Sequence, residues 1–249
     1  MQALRLSFSK AANTYDIKGK IQKKVAKEVL NKIKDKHFST IVEIGSGTGF
    51  LSIPLSKRLI FDRFIHVDIT YNFLKKLKGN LTGKHFFINS YAENIPLRDG
   101  IADLLISSAT IHWLSNPEKT LPLILKTLKK GGDFYFSIFT SNSLTELKEV
   151  SEISGFGSVF PMKTPDFYIS LLGKEAKVLS FEVKNYREKF ANPLDLLLTH
   201  KLTGTNYSQK KALSGKEAFK RFCHIYRERF GNHEGIYATY EVLFIQGQK

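Results

Sequence analysis

Cysteine is nearly absent: Cys223 stands alone in 249 residues, which excludes an internal disulfide and any zinc site of paired thiolates. The seven histidines show no metal-ligand spacing, so no metal is expected. No run reaches the roughly 18 apolar residues that a membrane span requires. The opening MQALRLSFSKAANTYD also lacks the unbroken apolar core of a secretory signal. These absences predict a soluble, cytoplasmic protein with no membrane partner. Repeats and low-complexity segments are missing too. Acidic residues are the scarce charge, 23 against 38 Lys and Arg, for a formal net charge of +15. Such a surface favours acidic partners without choosing among nucleic acid, anionic lipid and acidic protein.

With 42% hydrophobic residues the chain can bury one sizeable α/β core, so residues 1–249 are expected to form a single domain. Ile21, Val25, Val29 and Ile33 recur at helical spacing, with lysines turned away from that line. Short runs rich in Ile, Val and Phe then read as strands buried on both faces of a parallel sheet: 40–45, 63–69, 85–90, 103–109 and 133–139. Helices are expected at 50–58 and 71–77. Another should start at Asn116-Pro117, kink at Pro122 and end at Lys129-Lys130-Gly131-Gly132. Residues 178–190 and 238–247 read as the last two strands. Segments 141–175 and 193–236 leave the carboxyl ends of strands, the ligand side of an open α/β sheet, and are expected to cap the pocket.

The glycine-rich turn VEIGSGTGFLS (Val42–Ser52) carries the first chemistry. A dinucleotide fold spaces its glycines G-x-G-x-x-G so that a helix N-terminus meets a pyrophosphate. Here Gly45, Gly47 and Gly49 fall as G-x-G-x-G, with Ser46 between the first two and Phe50 at the place of the third dinucleotide glycine. Glu43 puts a carboxylate near the loop, which suits an ammonium group better than phosphates. Asp68, followed by Ile69, closes the second strand, where a carboxylate can accept both hydroxyls of a ribose. The polar SYAENIPL, with Tyr91, Ala92 and Glu93, follows the third strand. Together these describe an adenosyl ligand without phosphates, S-adenosylmethionine.

In these motifs the chain resembles the class I methyltransferases, and more narrowly the malonyl-acyl carrier protein O-methyltransferases of biotin synthesis. The likeness runs through SFSKAANTYD (Ser7–Asp16), the glycine loop, VDIT (Val67–Thr70), NIPL (Asn94–Leu97), SSATIHW (Ser107–Trp113), FSIFTSNSLTEL (Phe136–Leu147), KLTGTN (Lys201–Asn206) and YATYEVLF (Tyr237–Phe244). It implies a Rossmann-like fold: a mostly parallel seven-stranded sheet with an antiparallel last strand, helices on both faces and a helical cap. It also implies that Ser107 joins the cofactor site and that Phe73 packs against the adenine. Three positions depart from the family: Lys10 replaces Arg, Tyr91 replaces an Asp that contacts the adenine amino group, and His112 replaces Gln. The second departure leaves the backbone of Ala92 to serve the ring.

Methyl transfer to the carboxylate of a malonyl thioester needs no base, because a carboxylate is already ionised at pH 7. Alignment and removal of water carry such a reaction. A tightly paired Arg would quench the attack, so neutral donors or one loosely placed cation are preferred. Tyr15 and His112 are the catalytic candidates, and Lys10, Trp113 and Lys201 the substrate-binding ones. An aromatic face such as that of Tyr15 near a sulfonium is favourable. The segment QKKALSGKEAFKRFCHIYRERF gathers Lys210, Lys211, Lys216, Lys220, Arg221, Arg227 and Arg229 against Glu217 and Glu228. Lys216, Lys220, Arg221 and Arg227 are the candidates for docking an acidic carrier protein, with malonyl-CoA as the alternative substrate and a monomer as the expected state. An RNA or other small-molecule methyltransferase, or a cofactor-binding assembly factor without methyl transfer, remain the rival functions. The chain has no base-flipping Asn-Pro-Pro-Tyr motif and no catalytic cysteine pair, so no nucleic-acid partner is expected.

Overall fold

The computed structural model describes residues 2–206 and 215–249. The strands are β1 (His37–Ile44), β2 (Ile60–Asp68), β3 (His85–Asn89), β4 (Ala102–Ser108), β5 (Leu128–Phe139), β6 (Lys177–Phe190), β7 (Gly231–Asn232) and β8 (Gly235–Gln248). They form one sheet in the order β3-β2-β1-β4-β5-β8-β6. The first five pair in parallel, and β8 runs antiparallel to both β5 and β6. This is the arrangement that the resemblance to class I methyltransferases implies. It carries one strand beyond the expected seven: β7 turns back on β8 in a hairpin that Gly235 allows at φ +124°.

Strand order reverses between β1 and β4, so a crevice opens at the carboxyl ends of these strands. Helices cover both faces and bury apolar residues in two clusters. On one face α3 (Lys20–Lys32) sets Val25 and Val29 against Ile41 and Leu55, the latter from α4 (Ser52–Arg58). On the other, α6 (Pro117–Lys126) and α8 (Pro165–Glu175) cover Val42, Leu105 and Phe136. Each such side chain contributes about 1.5–3 kcal/mol when fully buried. No helix among the described residues is long and apolar enough to cross a membrane.

Two local expectations need correction, and one region was not anticipated. The helix that Asn116 caps, through a bond from the Lys119 N–H, runs through Pro122 but ends at Lys126. Leu128 instead begins β5, because it pairs with Ala102 and is fully buried, and Gly131 sits within the strand at φ +78°. Within 141–175, α7 (Thr145–Ser154) lies on the ligand side, but α8 belongs to the sheet layers. Its Tyr168 and Leu172 are buried in the second cluster and it leads directly into β6. Finally, the N-terminus forms two helices that sequence spacing did not suggest, α1 (Gln2–Ala11) and α2 (Tyr15–Lys18). α1 packs against α5 (Tyr71–Lys78) and α9 (Pro193–Leu202), while α10 (Lys216–Phe230) packs on α7.

Candidate active site

The three loop glycines answer to three different constraints. Gly45, at φ +71°, lies so close to Thr110 that a Cβ would collide with its side chain. Gly49, at φ +102°, would collide with Leu77 and Ile53. Gly47, at φ +54°, faces open space, and its N–H donates to Asp68 Oδ2 at 2.8 Å. The other Asp68 oxygen accepts the Thr70 N–H at 2.7 Å. Burial lifts the Asp68 pKa to about 6 against the opposing pull of these two bonds. The glycine loop is thereby pinned to the end of β2.

A cleft of about 80 Å³ opens beside this loop. Gly45, Gly47, Asp68, Ile69, Phe73 and Ala92 line it, with Glu93 and Trp113; Leu4 and Phe8 of α1 and Tyr15 of α2 complete the walls. Several residues expected here do not line it. Ser107 is buried and donates to the Ile44 carbonyl at 2.8 Å, a tie between β4 and β1, while Ser108 lines the cleft through strand alternation. Glu43 accepts a bond from Ser52 Oγ and approaches His66 Nδ1 at 3.4 Å, facing the first residue of α4. Burial pushes its pKa up to about 8. Gly49 supports packing, Ser46 is buried without a partner for its hydroxyl, and Tyr91 yields its place to neighbours Ser90 and Ala92.

A second chamber of about 380 Å³ adjoins the cleft and shares Phe8, Tyr15, Ala109 and Trp113 with it. Its walls are largely apolar, with Phe139, Leu144, Leu147, Val159 and Met162 prominent. Tyr15 sits at the junction, stacked on Phe50 at 5.6 Å and 4.9 Å from Phe73. Burial raises its pKa, so it remains a phenol. His112 is buried against the edge of Phe139, its Nδ1 has no hydrogen-bond partner, and burial lowers its pKa to about 3. It is therefore a neutral imidazole. Trp113 packs on Phe160 and Phe8. Lys10 and Lys201 are exposed and line neither space. Lys201 follows His200 on α9, and it is His200 that lines the chamber.

Tyr240, Gln22 and Asn206 line the chamber with His200, and sequence reasoning singled out none of the four. His200 Nδ1 lies 2.8 Å from Thr205 Oγ1 and its Nε2 3.1 Å from the Tyr240 hydroxyl. A signal was present, because Asn206 lies in KLTGTN and Tyr240 in YATYEVLF. The motifs are paired in space. SFSKAANTYD meets KLTGTN through Ser7 Oγ donating to Asn206 at 2.9 Å and Thr14 Oγ1 donating to the Leu202 carbonyl at 2.6 Å. FTSNSLTEL meets YATYEVLF through Glu241, which accepts from Thr140 Oγ1 and Asn142 Nδ2, and through Glu146, which accepts the Thr239 N–H.

On α10, Lys216, Lys220 and Arg227 are exposed, and Lys220 meets Glu217 at 2.9 Å. Arg221 instead ties α10 to the end of α7, its guanidinium donating to the Ser154 carbonyl. Arg229 pairs with Glu149. Lys210 and Lys211 lie outside the described residues.

Residues 42–136, which hold the glycine loop, Asp68 and His112, match the methyltransferase domain family. The chain carries a methyltransferase domain. It is 29% identical to a malonyl-[acyl-carrier protein] O-methyltransferase of Calditerrivibrio nitroreducens, over 96% of this chain and 93% of the relative. A protein of the same name from Geobacter sulfurreducens is 28% identical over 99% and 98%. Among solved structures, the YcgJ protein of Bacillus subtilis superposes with a TM-score of 0.65 at 15% identity, over 91% of this chain and 98% of that one. A SAM-dependent methyltransferase of Thermotoga maritima does so with 0.57 at 18%, over 99% of both. This methyltransferase has the class I fold and S-adenosylmethionine as its cofactor. The residues in place fit that molecule: Gly47 leaves open the space a side chain would fill, Asp68 provides a buried carboxylate, and Ile69 and Phe73 provide apolar surface.

Proposed function

We propose that this methyltransferase esterifies the free carboxylate of a malonyl thioester held on acyl carrier protein, an early step of biotin synthesis. The observation that carries the reading is the chamber joined to the cofactor cleft at Tyr15 and Trp113, lined by no lysine or arginine among the described residues. An anionic nucleophile entering it keeps its reactivity, since no described lysine or arginine lines the chamber to quench it. When bound, S-adenosylmethionine supplies a methyl on a sulfonium, which a carboxylate oxygen accepts as the C–S bond breaks with its electron pair left on sulfur. The apolar walls exclude water from that oxygen. Neutral His112 and the phenol of Tyr15 offer hydrogen-bond donors that hold it without compensating its charge. The likeness to relatives named for this reaction supports the substrate.

Lys216, Lys220 and Arg227, on the exposed face of α10, would steer an acidic carrier protein. Methyl transfer measured side by side on malonyl-carrier protein, malonyl-CoA and bulk tRNA tests the function. Transfer to tRNA alone, or to nothing, overturns it. Reversing the three cations to Glu should raise KM for the carrier-bound substrate about tenfold and leave KM for malonyl-CoA little changed, the effect shrinking with salt. Equal loss on both substrates would assign these residues to the fold.

A further inference from the structure

The buried stripe of α3 contains a misfit. Gln22, Val25, Ala26 and Val29 follow at i, i+3, i+4 and i+7, all of them buried, so Gln22 holds a position where helical spacing calls for an apolar side chain. It is 9% exposed, lines the chamber, and its Oε1 has no hydrogen-bond partner. Leaving a buried polar atom unpaired costs about 1–3 kcal/mol, which Leu at this place would avoid. Among the described residues that line the chamber, one other has a buried, unpaired side-chain atom, His112 Nδ1.

Several other polar groups around the chamber are engaged. Ser143 Oγ donates to the Glu241 carbonyl, Asn206 accepts from Ser7, and Thr205, His200 and Tyr240 bond one another. An anion in this chamber therefore has no described lysine or arginine to meet, and few uncommitted donors. Gln22 Oε1 is itself closed off, so the donor that a ligand in the chamber can use is the other end of the carboxamide, Nε2.

We infer that Gln22 is a substrate-binding residue whose carboxamide N–H donates to the substrate carboxylate, beside His112. The assignment rests on the malonyl-thioester reading and extends it to the group that selects a free acid. It gives the amide in an apolar stripe a use, as a neutral donor that leucine could not supply. It also gives the site a way to release its product, since the methyl ester is a weaker acceptor than the carboxylate.

The test compares two ligands on protein loaded with S-adenosylhomocysteine: malonyl-carrier protein and its methyl ester. Calorimetry is run on the wild type, Gln22→Glu and Gln22→Leu, with S-adenosylhomocysteine affinity and thermal unfolding as controls on the fold. Gln22→Leu completes the apolar stripe and is expected to be no less stable than the wild type. Both variants should bind the free acid roughly tenfold more weakly or worse, as for loss of a hydrogen bond to a charged group, while binding the ester within about twofold of wild type. Equal loss for acid and ester would make Gln22 a packing residue, and no loss for either would remove it from the site. A wild type that binds neither ligand would overturn the malonyl reading itself, and the assignment with it.

Discussion

The cofactor cleft takes most of its walls from residues 44–47, 67–73, 90–93 and 108–114, each segment at or just after the end of a strand, whereas the chamber shares 109–113 with that set and otherwise draws on residues 8, 15 and 22, on 139–162, on 197–206 and on 240. The first is a product of local chain geometry. Once four parallel strands are aligned, their carboxyl ends bring a glycine turn, a carboxylate and an apolar side chain together without help from the rest of the fold. The second exists only after distant segments meet, and its polar groups are held by partners up to some two hundred residues away in sequence. A change in the cleft should therefore act through the backbone and the cofactor, and a change in the chamber through the substrate.

The largest effect that would separate the two is at the glycine loop. Gly45→Ala combines a left-handed backbone with a collision at Thr110 and should cost about 3 kcal/mol of stability. Gly47→Ala meets no neighbour, should cost about 1–2 kcal/mol in backbone strain, and should lower cofactor affinity in a protein that still folds. Chemical denaturation and S-adenosylhomocysteine calorimetry distinguish them; similar destabilisation by both would mean that the close approach of Thr110 does not matter.

Next in size is Asp68→Ala. It removes the acceptor of the Gly47 and Thr70 N–H groups as well as the proposed ribose partner, and should weaken S-adenosylhomocysteine binding by about 1.5–3 kcal/mol. Unchanged affinity in a folded variant would move the cofactor out of this cleft. The smallest effect is expected in the chamber. His112, its pKa lowered to about 3 by burial, is neutral at every pH above about 4, and a carboxylate substrate is ionised above about 5. Asp68 and Glu43, with pKa values of about 6 and 8, titrate beside the glycine loop, so the rate is measured with cofactor saturating; the single-turnover rate should then be nearly flat from about pH 6 to 8. A tenfold rise per pH unit would show that a base is required and that the nucleophile is not a carboxylate.

The same contrast decides what could be read from the chain. The helix α3, the glycine loop, Asp68 and the cap of α6 at Asn116 depend on spacing within a dozen residues, and pattern alone located them. Glu43 and Ser107 were misdirected by one residue of strand alternation: each lies next to a residue that reaches the cleft or its margin, but points to the other side. α1 and α2 had too weak a pattern to announce themselves: α1 buries Leu4 and Ala11 and packs on α5 and α9, and α2 is a single turn with no fully buried residue. Gln22 was invisible for the opposite reason. It occupies a core position, and only the folded chain shows that it borders the chamber. The resemblance did flag SFSKAANTYD, KLTGTN and YATYEVLF, but as separate signals; that they form two hydrogen-bonded pairs is a fact of tertiary structure.

The way β8 is threaded between β5 and β6 bears on how the chain can be made. A ribosome releases β5 and β6 first, and the two must wait side by side, unjoined, for the strand that links them. α1 waits longer than any other helix: the first segment to emerge, it finds its seat on α9 only some two hundred residues later. Synthesis therefore finishes the cofactor half of the sheet early and the substrate half late, and such non-local closures are slow to form. Until residues near 240 arrive, a nascent chain can have a nucleotide-shaped cleft but no chamber in which to use it.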